Sequence, residues 1–356
     1  MLLVSRVLLL PPVASQVRFM RNRAMLLPIF GIGVTALSLC AIAKAEEHGC
    51  TLEIPAIVVL PDYNLVRELG PSAFTLQGKH GSGTVTSVET RSGPRRILFV
   101  VETGKQVPAA AKKIEFDVIS AILANADGED SFALLASRGP RNEVGFGTNK
   151  ETVAASAAAI ENVVGTRSQK GGVLDSILEA IDRFQSPREG DAIVVLTLGI
   201  ESDHYAGYGK VRDALAKAHV RLFGVQLGPI IDAIGAAPSY WGNYYQPGWM
   251  DPNRENLFAL TRASGGFAGW ENTVGGPHNR YNLTNDRQIA IKHIALQIYR
   301  AIARYYSIRV ENPSSNFALE LADSVRKDLP QARLNYPDRY WECKPTPPVQ
   351  LGAASR

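Results

Sequence analysis

The sequence predicts a doubly wound α/β fold: a mostly parallel sheet with helices on both faces, and a small accessory β-sheet formed by the N- and C-terminal segments. Three observations lead to this prediction. Short apolar runs such as Arg96–Val101 are typical of strands buried on both faces. Segments with apolar residues at helical spacing alternate with these runs. Patterns of β type precede and follow this alternating region.

The chain divides into five segments. We predict a leader at residues 1–45, an N-terminal β segment at 46–94 and the α/β domain at 95–304. A C-terminal β segment at 305–342 is expected to pair with the N-terminal one, and a disordered tail is expected at 343–356. With 46% hydrophobic and 20% charged residues, the 356-residue chain has the composition of a folded protein with a sizeable core.

The elements of the α/β domain follow one another in a regular order. Apolar runs predict strands at 96–101, 131–136, 191–198 and 220–227. Helical spacing predicts helices at 109–124, 149–164, 172–185, 208–218, 254–264 and 289–303. Thr148 and Glu151 have the spacing of a capping box, which predicts that Thr148 caps the second helix.

The first 45 residues have the pattern of a secretory signal. They contain five of the 38 basic residues and no acidic residue, so the rest of the chain holds 33 basic and 34 acidic side chains and gives no reason to expect a nucleic-acid partner. An apolar run at 25–43 ends in Ala43-Lys44-Ala45, which predicts cleavage after Ala45 and a secreted or periplasmic protein. An uncleaved inner-membrane anchor at 25–43 stays open as the alternative.

Export would leave two cysteines, Cys50 and Cys343, near the two ends of the mature chain. In an oxidising compartment such a pair predicts a disulfide bond that joins the terminal segments. The alternative, a reactive thiol, lacks a C-x-x-C motif.

Several segments, taken in order, resemble those of a known family. Residues 95–102 match its first strand, Gly171-Gly-Val-Leu-Asp-Ser-Ile177 is similar to its Gly-Gly-Thr-x-x-Asp-x-Ile segment, and Val194-Val-Leu-Thr-Leu-Gly199 is similar to a strand that normally ends Leu-Thr-Asp-Gly. From about residue 51 to 340 the chain resembles the von Willebrand factor type A (VWFA) fold, and in particular the secreted VWFA-related proteins best known from Acidobacteria. The resemblance implies a protein-binding or adhesion module.

The family's function usually depends on a metal-ion-dependent adhesion site, in which a D-x-S-x-S loop, a Thr and an Asp surround Mg²⁺. The corresponding positions of this chain are Glu102, Gly104, Gln106, Val173 and Leu198. Since Mg²⁺ requires near-octahedral oxygen ligation, these residues predict a degenerate site with no metal and no other cofactor. A metal-dependent adhesin with an altered ligand shell stays open as an alternative.

Two loops expected at the carboxyl ends of the strands are rich in aromatic residues. Tyr and Trp side chains offer a stiff contact area with polar tips, which suits recognition of a protein or a carbohydrate. The loop that contains 240–249 could equally fold back on its own rings. The predicted partner-binding residues are Tyr205, Tyr208, Tyr240, Trp241, Tyr244, Tyr245 and Trp249.

Enzyme motifs are absent from the sequence: it contains no H-E-x-x-H and no G-x-S-x-G. We therefore expect a non-enzymatic protein. Glu201, Asp203 and His204 form the one polar cluster that could act in a periplasmic hydrolase, and an exposed polar loop explains them as well.

Overall fold

The computed structural model describes residues 50–78, 83–103, 107, 109–137, 143–161, 172–198, 206–227, 257–270, 274–275, 280–281, 285–313, 317–339 and 344–345. The predicted leader and the loops at 199–205 and 228–256 lie outside these residues. Within the described part, no helix has both the length and the apolar character needed to cross a bilayer.

The strands and helices are named in chain order. The strands are β1 (Cys50–Val59), β2 (Leu65–Val66), β3 (Phe74–Gly78), β4 (Thr84–Arg91), β5 (Arg96–Val101), β6 (Ser131–Ala136), β7 (Val144–Thr148), β8 (Ala192–Thr197), β9 (Arg221–Gln226), β10 (Ala268–Trp270), β11 (Val274–Gly275), β12 (Arg280–Tyr281), β13 (Tyr305–Glu311), β14 (Phe317–Leu321), β15 (Arg333–Asn335) and β16 (Lys344–Pro345). The helices are α1 (Ala109–Asn125), α2 (Lys150–Glu161), α3 (Val173–Arg183), α4 (Tyr208–Ala218), α5 (Leu257–Ala263), α6 (Asn285–Ala303) and α7 (Asp323–Asp328).

The central sheet has the strand order β10-β9-β8-β5-β6-β7. Neighbouring strands are parallel except β7, which is antiparallel to β6. When these six strands are numbered along the chain and read from the β7 edge, the order is that of a doubly wound sheet, 3-2-1-4-5-6. The α/β fold predicted from the alternating pattern is confirmed.

Helices cover both faces of this sheet, because alternate side chains of each buried strand point to opposite faces. Ile97 and Phe99 of β5 pack with α1, α2 and α6 in one apolar core. Leu98 and Val100 pack with α3, α4 and α5 in a second core on the other face. The continuous apolar character of the strands thus follows from burial on both sides.

The terminal segments meet in a second sheet of order β15-β1-β13-β4. Strand β1 pairs with β13 in antiparallel register, with Ile54 opposite Ile308, and β3 pairs separately with β14. Side chains from both terminal segments, including Ile54, Phe74, Tyr306 and Ile308, form a third apolar core. Chain segments that are far apart in sequence are therefore held together by backbone pairing and by burial.

Two arginines bind the end of α6, where the α/β domain continues into β13. Arg221 donates to the carbonyls of Ala301 and Ile302, both at 3.1 Å, and Arg95 Nε donates to the Ile302 carbonyl at 3.2 Å. The last carbonyls of a helix lack intrahelical partners and carry partial negative charge, so cations stabilise them. The Arg221 guanidinium also lies 4.1 Å from the centroid of the Tyr305 ring.

The cap of α2 differs from the sequence prediction by one residue. Thr148 ends β7, and the side chain of Asn149 accepts a 2.8 Å hydrogen bond from the Thr152 N–H instead. The reason is that the strand holds Thr148 in its ladder, so the next residue with a short polar side chain becomes the cap.

The ends of two other segments also differ from expectation. Lys344 and Pro345, which the sequence places in a disordered tail, pair with Thr51 and Cys50 of β1. Helix α6 begins at Asn285 instead of residue 289, because its first turn is polar and has no apolar periodicity to reveal it.

Candidate binding site at the carboxyl edge of the sheet

The site is defined by the point where the strand order changes direction. β5 and β8 are neighbours in the sheet, and their connections lead to opposite sides of it. Ligands of open α/β sheets bind in the crevice outside the carboxyl ends of two such strands. The residues that follow β5 and β8 are Glu102 and Leu198, two of the five predicted degenerate metal positions.

The Glu102 side chain connects the two strand ends across this crevice. Its Oε2 atom accepts a 2.5 Å hydrogen bond from the Thr197 hydroxyl and a 2.9 Å hydrogen bond from the Leu198 N–H. Glu102 is only 2% exposed. Hydrogen bonds to a carboxylate are short and strong. Glu102, at the first predicted metal position, is thus bonded to the end of β8, which is followed by Leu198 at the last predicted position.

Two of the other mapped positions hold packed aliphatic side chains. Val173, the first residue of α3, is buried in the core shared by α3, α4 and α5. Leu198 is partly buried against the core on the opposite face. Neither side chain offers an oxygen to a cation. Gly104 and Gln106, the remaining mapped positions, lie outside the described residues.

Short polar side chains accept hydrogen bonds from the backbone around the crevice and link its segments to one another. Asp175 accepts hydrogen bonds from the N–H groups of Gly172, at 3.1 Å, and Ala206, at 3.0 Å, and so links the start of α3 to the segment before α4. Ser137 Oγ accepts a 3.3 Å hydrogen bond from the Thr103 N–H, which links the segment after β5 to that after β6.

A second carboxyl group lies in the protein interior near Glu102. Glu115 of α1 is 1% exposed, and neither of its oxygens has a hydrogen-bond partner in the described part of the chain. Burial, followed by repulsion from the Glu102 carboxylate, raises the pKa of Glu115 well above its usual value, and Lys112 acts in the opposite direction. A buried carboxyl group in such surroundings favours its neutral form.

Glu115 and Lys112 were not predicted as residues of this site, although their spacing on α1 could have indicated that they are buried. The two residues stand three apart on α1, and Glu115, Ile119 and Ile122 follow one another at spacings of four and three. Residues at these spacings share a helix face. Because the helix face that carries Ile119 and Ile122 is buried, Glu115 on the same face is buried as well.

The predicted partner-binding residues fall almost wholly outside the described residues. Tyr208 is the exception: it begins α4 and packs, partly buried, against the core shared by α3, α4 and α5. Part of its ring is therefore used in packing. The other six predicted partner-binding residues lie outside the described residues: Tyr205, Tyr240, Trp241, Tyr244, Tyr245 and Trp249. The hydrolase candidates Glu201, Asp203 and His204, and the cysteine Cys343, lie outside them as well.

The chemistry available at the described part of the crevice is limited. Across the described residues, no group of three or more His, Cys, Asp or Glu side chains is arranged to hold a metal ion. Glu102 is engaged by Thr197 and Leu198. These hydrogen bonds fix the backbone at the carboxyl ends of β5 and β8.

Strand order and crevice together describe a doubly wound α/β module. Neither a family model nor a curated protein matches the chain. Among similar solved structures are an aerotolerance-related membrane protein from Bacteroides fragilis (13% identity, 58% of this chain and 98% of that chain, TM-score 0.37) and BatB from Bacteroides thetaiotaomicron (17% identity, 58% and 98%, TM-score 0.34). The SpRpn10 VWA domain is similar at 10% identity over 38% of this chain and 76% of that domain, with a TM-score of 0.29.

Proposed function

We propose that this chain is an exported, non-enzymatic binding module of von Willebrand A type, which captures a protein partner through the loops at the carboxyl edge of the sheet without a bridging metal ion. The observation that carries the proposal is the Glu102 carboxylate. Its Oε2 accepts from Thr197 and Leu198, so the side chain at the first mapped position has a role inside the protein.

Packing at the other mapped positions supports the same reading. Val173 and Leu198 bury aliphatic surface where a metal-dependent module would need oxygen donors. In a metal-dependent module, a carboxylate of the partner completes the ligand shell of the cation. Without that cation, attachment depends on shape and on apolar contact. The aromatic segment 240–249 is the richest source of such contact in the sequence.

The metal-free part of the proposal is tested by cation titration. The melting temperature of the purified chain is followed with increasing MgCl₂ or MnCl₂, with CaCl₂ and NaCl of matched ionic strength as references. We expect no saturable shift with Mg²⁺ or Mn²⁺, because binding only to the folded state would raise the melting temperature. A saturable shift that disappears in Glu102→Ala would favour the metal-dependent adhesin instead.

The partner-binding part is tested in the native cell envelope. A photo-crosslinking amino acid is placed at Tyr245, and at Lys327 on the exposed side of α7 as a control. We expect Tyr245 to give one crosslinked protein of constant mass, and Lys327 to give none. The band should be lost when Tyr240, Trp241 and Trp249 are all replaced by Ala with the far-UV CD spectrum unchanged. A band that survives the triple replacement would argue against this surface.

Export and the disulfide belong to the same proposal. Residues 1–45 would direct export with cleavage after Ala45, and Cys50 would then bond to Cys343. The pairing of β16 with β1 supports this bond, because it brings Lys344, the residue after Cys343, to the strand that begins with Cys50. The N-terminal sequence of the exported protein tests the cleavage site: a start at Glu46 supports it, and a start upstream of residue 25 favours the anchor.

A further inference from the structure

A cavity of about 330 Å³ lies between the terminal β segments, where β1, β2 and the start of β13 meet. Ile57 and Leu65 contribute to its apolar wall, and Arg67, Glu68 and Arg304 are the charged residues of its described lining. Sites for small molecules usually measure about 300–1,000 Å³ and combine apolar walls with a few polar groups. The size and the lining of this cavity therefore suit a small ligand that is partly apolar and partly charged.

The segment that carries Arg67 and Glu68 is fixed to β13 by one tyrosine. The Tyr306 hydroxyl donates a 3.0 Å hydrogen bond to the Val66 carbonyl and accepts a 3.3 Å hydrogen bond from the Leu69 N–H. Tyr306 is 5% exposed and belongs to the third apolar core. Arg67 and Glu68 stand between the two contacts, so their backbone is ordered before a ligand arrives, which lowers the entropic cost of binding.

The three charged side chains of the cavity are accessible and do not pair with one another. Arg67 is partly buried, and Glu68 and Arg304 are exposed, so a ligand can reach all three. Within the described residues, neither guanidinium takes part in a hydrogen bond or an ion pair. Burial raises the pKa of Tyr306; the Leu69 N–H and the charge of Arg67 lower it, whereas the charge of Glu68 raises it. Charges of both signs therefore act beside one hydroxyl without forming an ion pair.

We propose that this cavity binds a free α-amino acid with an aliphatic side chain, such as L-leucine. The carboxylate of the ligand faces Arg67 and Arg304, because guanidinium groups match carboxylates in geometry and in charge. Its ammonium group faces Glu68, and its side chain packs against Ile57 and Leu65. A ligand with only one of the two charges would leave either the arginines or the glutamate without a partner. This inference does not rest on the proposed partner-binding function, since other residues line the crevice.

The test is calorimetric titration of the purified chain with L-leucine, at two temperatures and constant ionic strength, and we expect saturable binding. Isocaproate is leucine without the ammonium group, and isopentylamine is leucine without the carboxylate. Each should bind at least about tenfold more weakly than L-leucine, because it loses the hydrogen bonds between charged groups on one side of the cavity. Glycine, which lacks the aliphatic side chain, should also bind at least about tenfold more weakly.

Three single replacements test the assigned roles. Arg67→Gln and Arg304→Gln should each lower the L-leucine affinity by at least about tenfold, and either one decides the outcome if the other does not fold. Glu68→Gln should lower the affinity for L-leucine but leave that for isocaproate unchanged. Arg300→Gln is the matched control: it alters an exposed arginine of α6 that does not line the cavity, and it should bind as the unaltered chain does. No saturable heat with L-leucine, equal affinity for isocaproate, or unchanged L-leucine binding by the three variants would each overturn the proposal.

Discussion

The hydroxyl of Thr197 donates a 2.5 Å hydrogen bond to the Glu102 carboxylate, and this contact joins the carboxyl ends of β8 and β5. The Thr197 side chain is fully buried, so the bond is shielded from water, which would otherwise compete for it. The Leu198 N–H bonds to the same oxygen. The central crevice of the sheet is therefore bridged by the protein's own donors.

Replacing Thr197 by Val should lower the free energy of unfolding by about 1–3 kcal/mol, because it keeps the shape but removes one donor from a buried carboxylate. The measurement is urea denaturation followed by far-UV CD. Thr75→Val, at an exposed strand position, is the control and should change stability by less than about 0.5 kcal/mol. Equal effects of the two replacements would mean that the Thr197 bond contributes little.

Rebuilding the oxygen shell should create the Mg²⁺ binding that we expect the unaltered chain to lack. The variant carries Glu102→Asp, Gly104→Ser, Gln106→Ser, Val173→Thr and Leu198→Asp, which restores the five ligand types of the family. We expect its melting temperature to rise saturably with Mg²⁺, since binding to the folded state alone is stabilising. The control carries the same four other replacements together with Glu102→Ala, and its melting temperature should not respond to Mg²⁺. If the rebuilt chain folds but ignores Mg²⁺, the mapping of these positions is wrong.

Glu115 should make the protein less stable as pH rises. Because its pKa in the folded state is raised, the folded chain holds this proton more tightly than the unfolded chain. The resulting stability is present below the unfolded pKa, near 4.3, and is lost as pH rises toward the folded value. Glu115→Gln has no proton to lose, so it should stabilise the chain at pH 8 by on the order of 1–3 kcal/mol and change little at pH 4.5.

Urea denaturation at several pH values measures this effect. Glu129→Gln, which alters an exposed glutamate, is the matched control and should follow the pH profile of the unaltered chain. A parallel pH profile for Glu115→Gln would show that the Glu115 carboxyl is not the source of the dependence.

Arg221→Met should destabilise the chain by about 3 kcal/mol, because it leaves the Ala301 and Ile302 carbonyls without the guanidinium and removes the cation from the Tyr305 ring. Methionine keeps much of the aliphatic volume, so the change reports mainly the lost polar contacts. Arg339→Met removes an exposed ion pair with Asp213 and should cost no more than about 1 kcal/mol. Thermal denaturation of the two variants distinguishes these expectations.

Loss of the proposed Cys50–Cys343 bond should lower stability by about 2–5 kcal/mol, since a bond that closes a long loop restricts the unfolded chain. Cys50→Ser and Cys343→Ser should have equal effects, and the double replacement should be no worse than either one. Alkylation followed by intact mass measurement checks the bond itself: the exported chain should take up no alkyl groups before reduction and two after it. Uptake before reduction would show free thiols.

Sequence patterns were sufficient for the α/β fold because the buried strands are continuous apolar runs. The stretch Arg96–Val101, predicted as a buried strand, is β5 with the same bounds. Short elements with weak patterns were not foreseen: β10 has three residues and α7 has six, which is too few for a period to be recognised. The shift of the α2 cap to Asn149 arose because strand pairing and capping compete for neighbouring residues.

The sequence by itself determined the alternation of buried strands and amphipathic helices, and its family resemblance predicted that Glu102, Val173 and Leu198 are poor replacements for metal ligands. Only the tertiary structure decided that Glu102 bonds to Thr197 and that Glu115 lies buried nearby. The physical reason is that periodicity encodes which face of an element is buried, a local property of the chain. A hydrogen bond between residues 95 positions apart depends on how the strands are ordered in the sheet, which no local pattern contains.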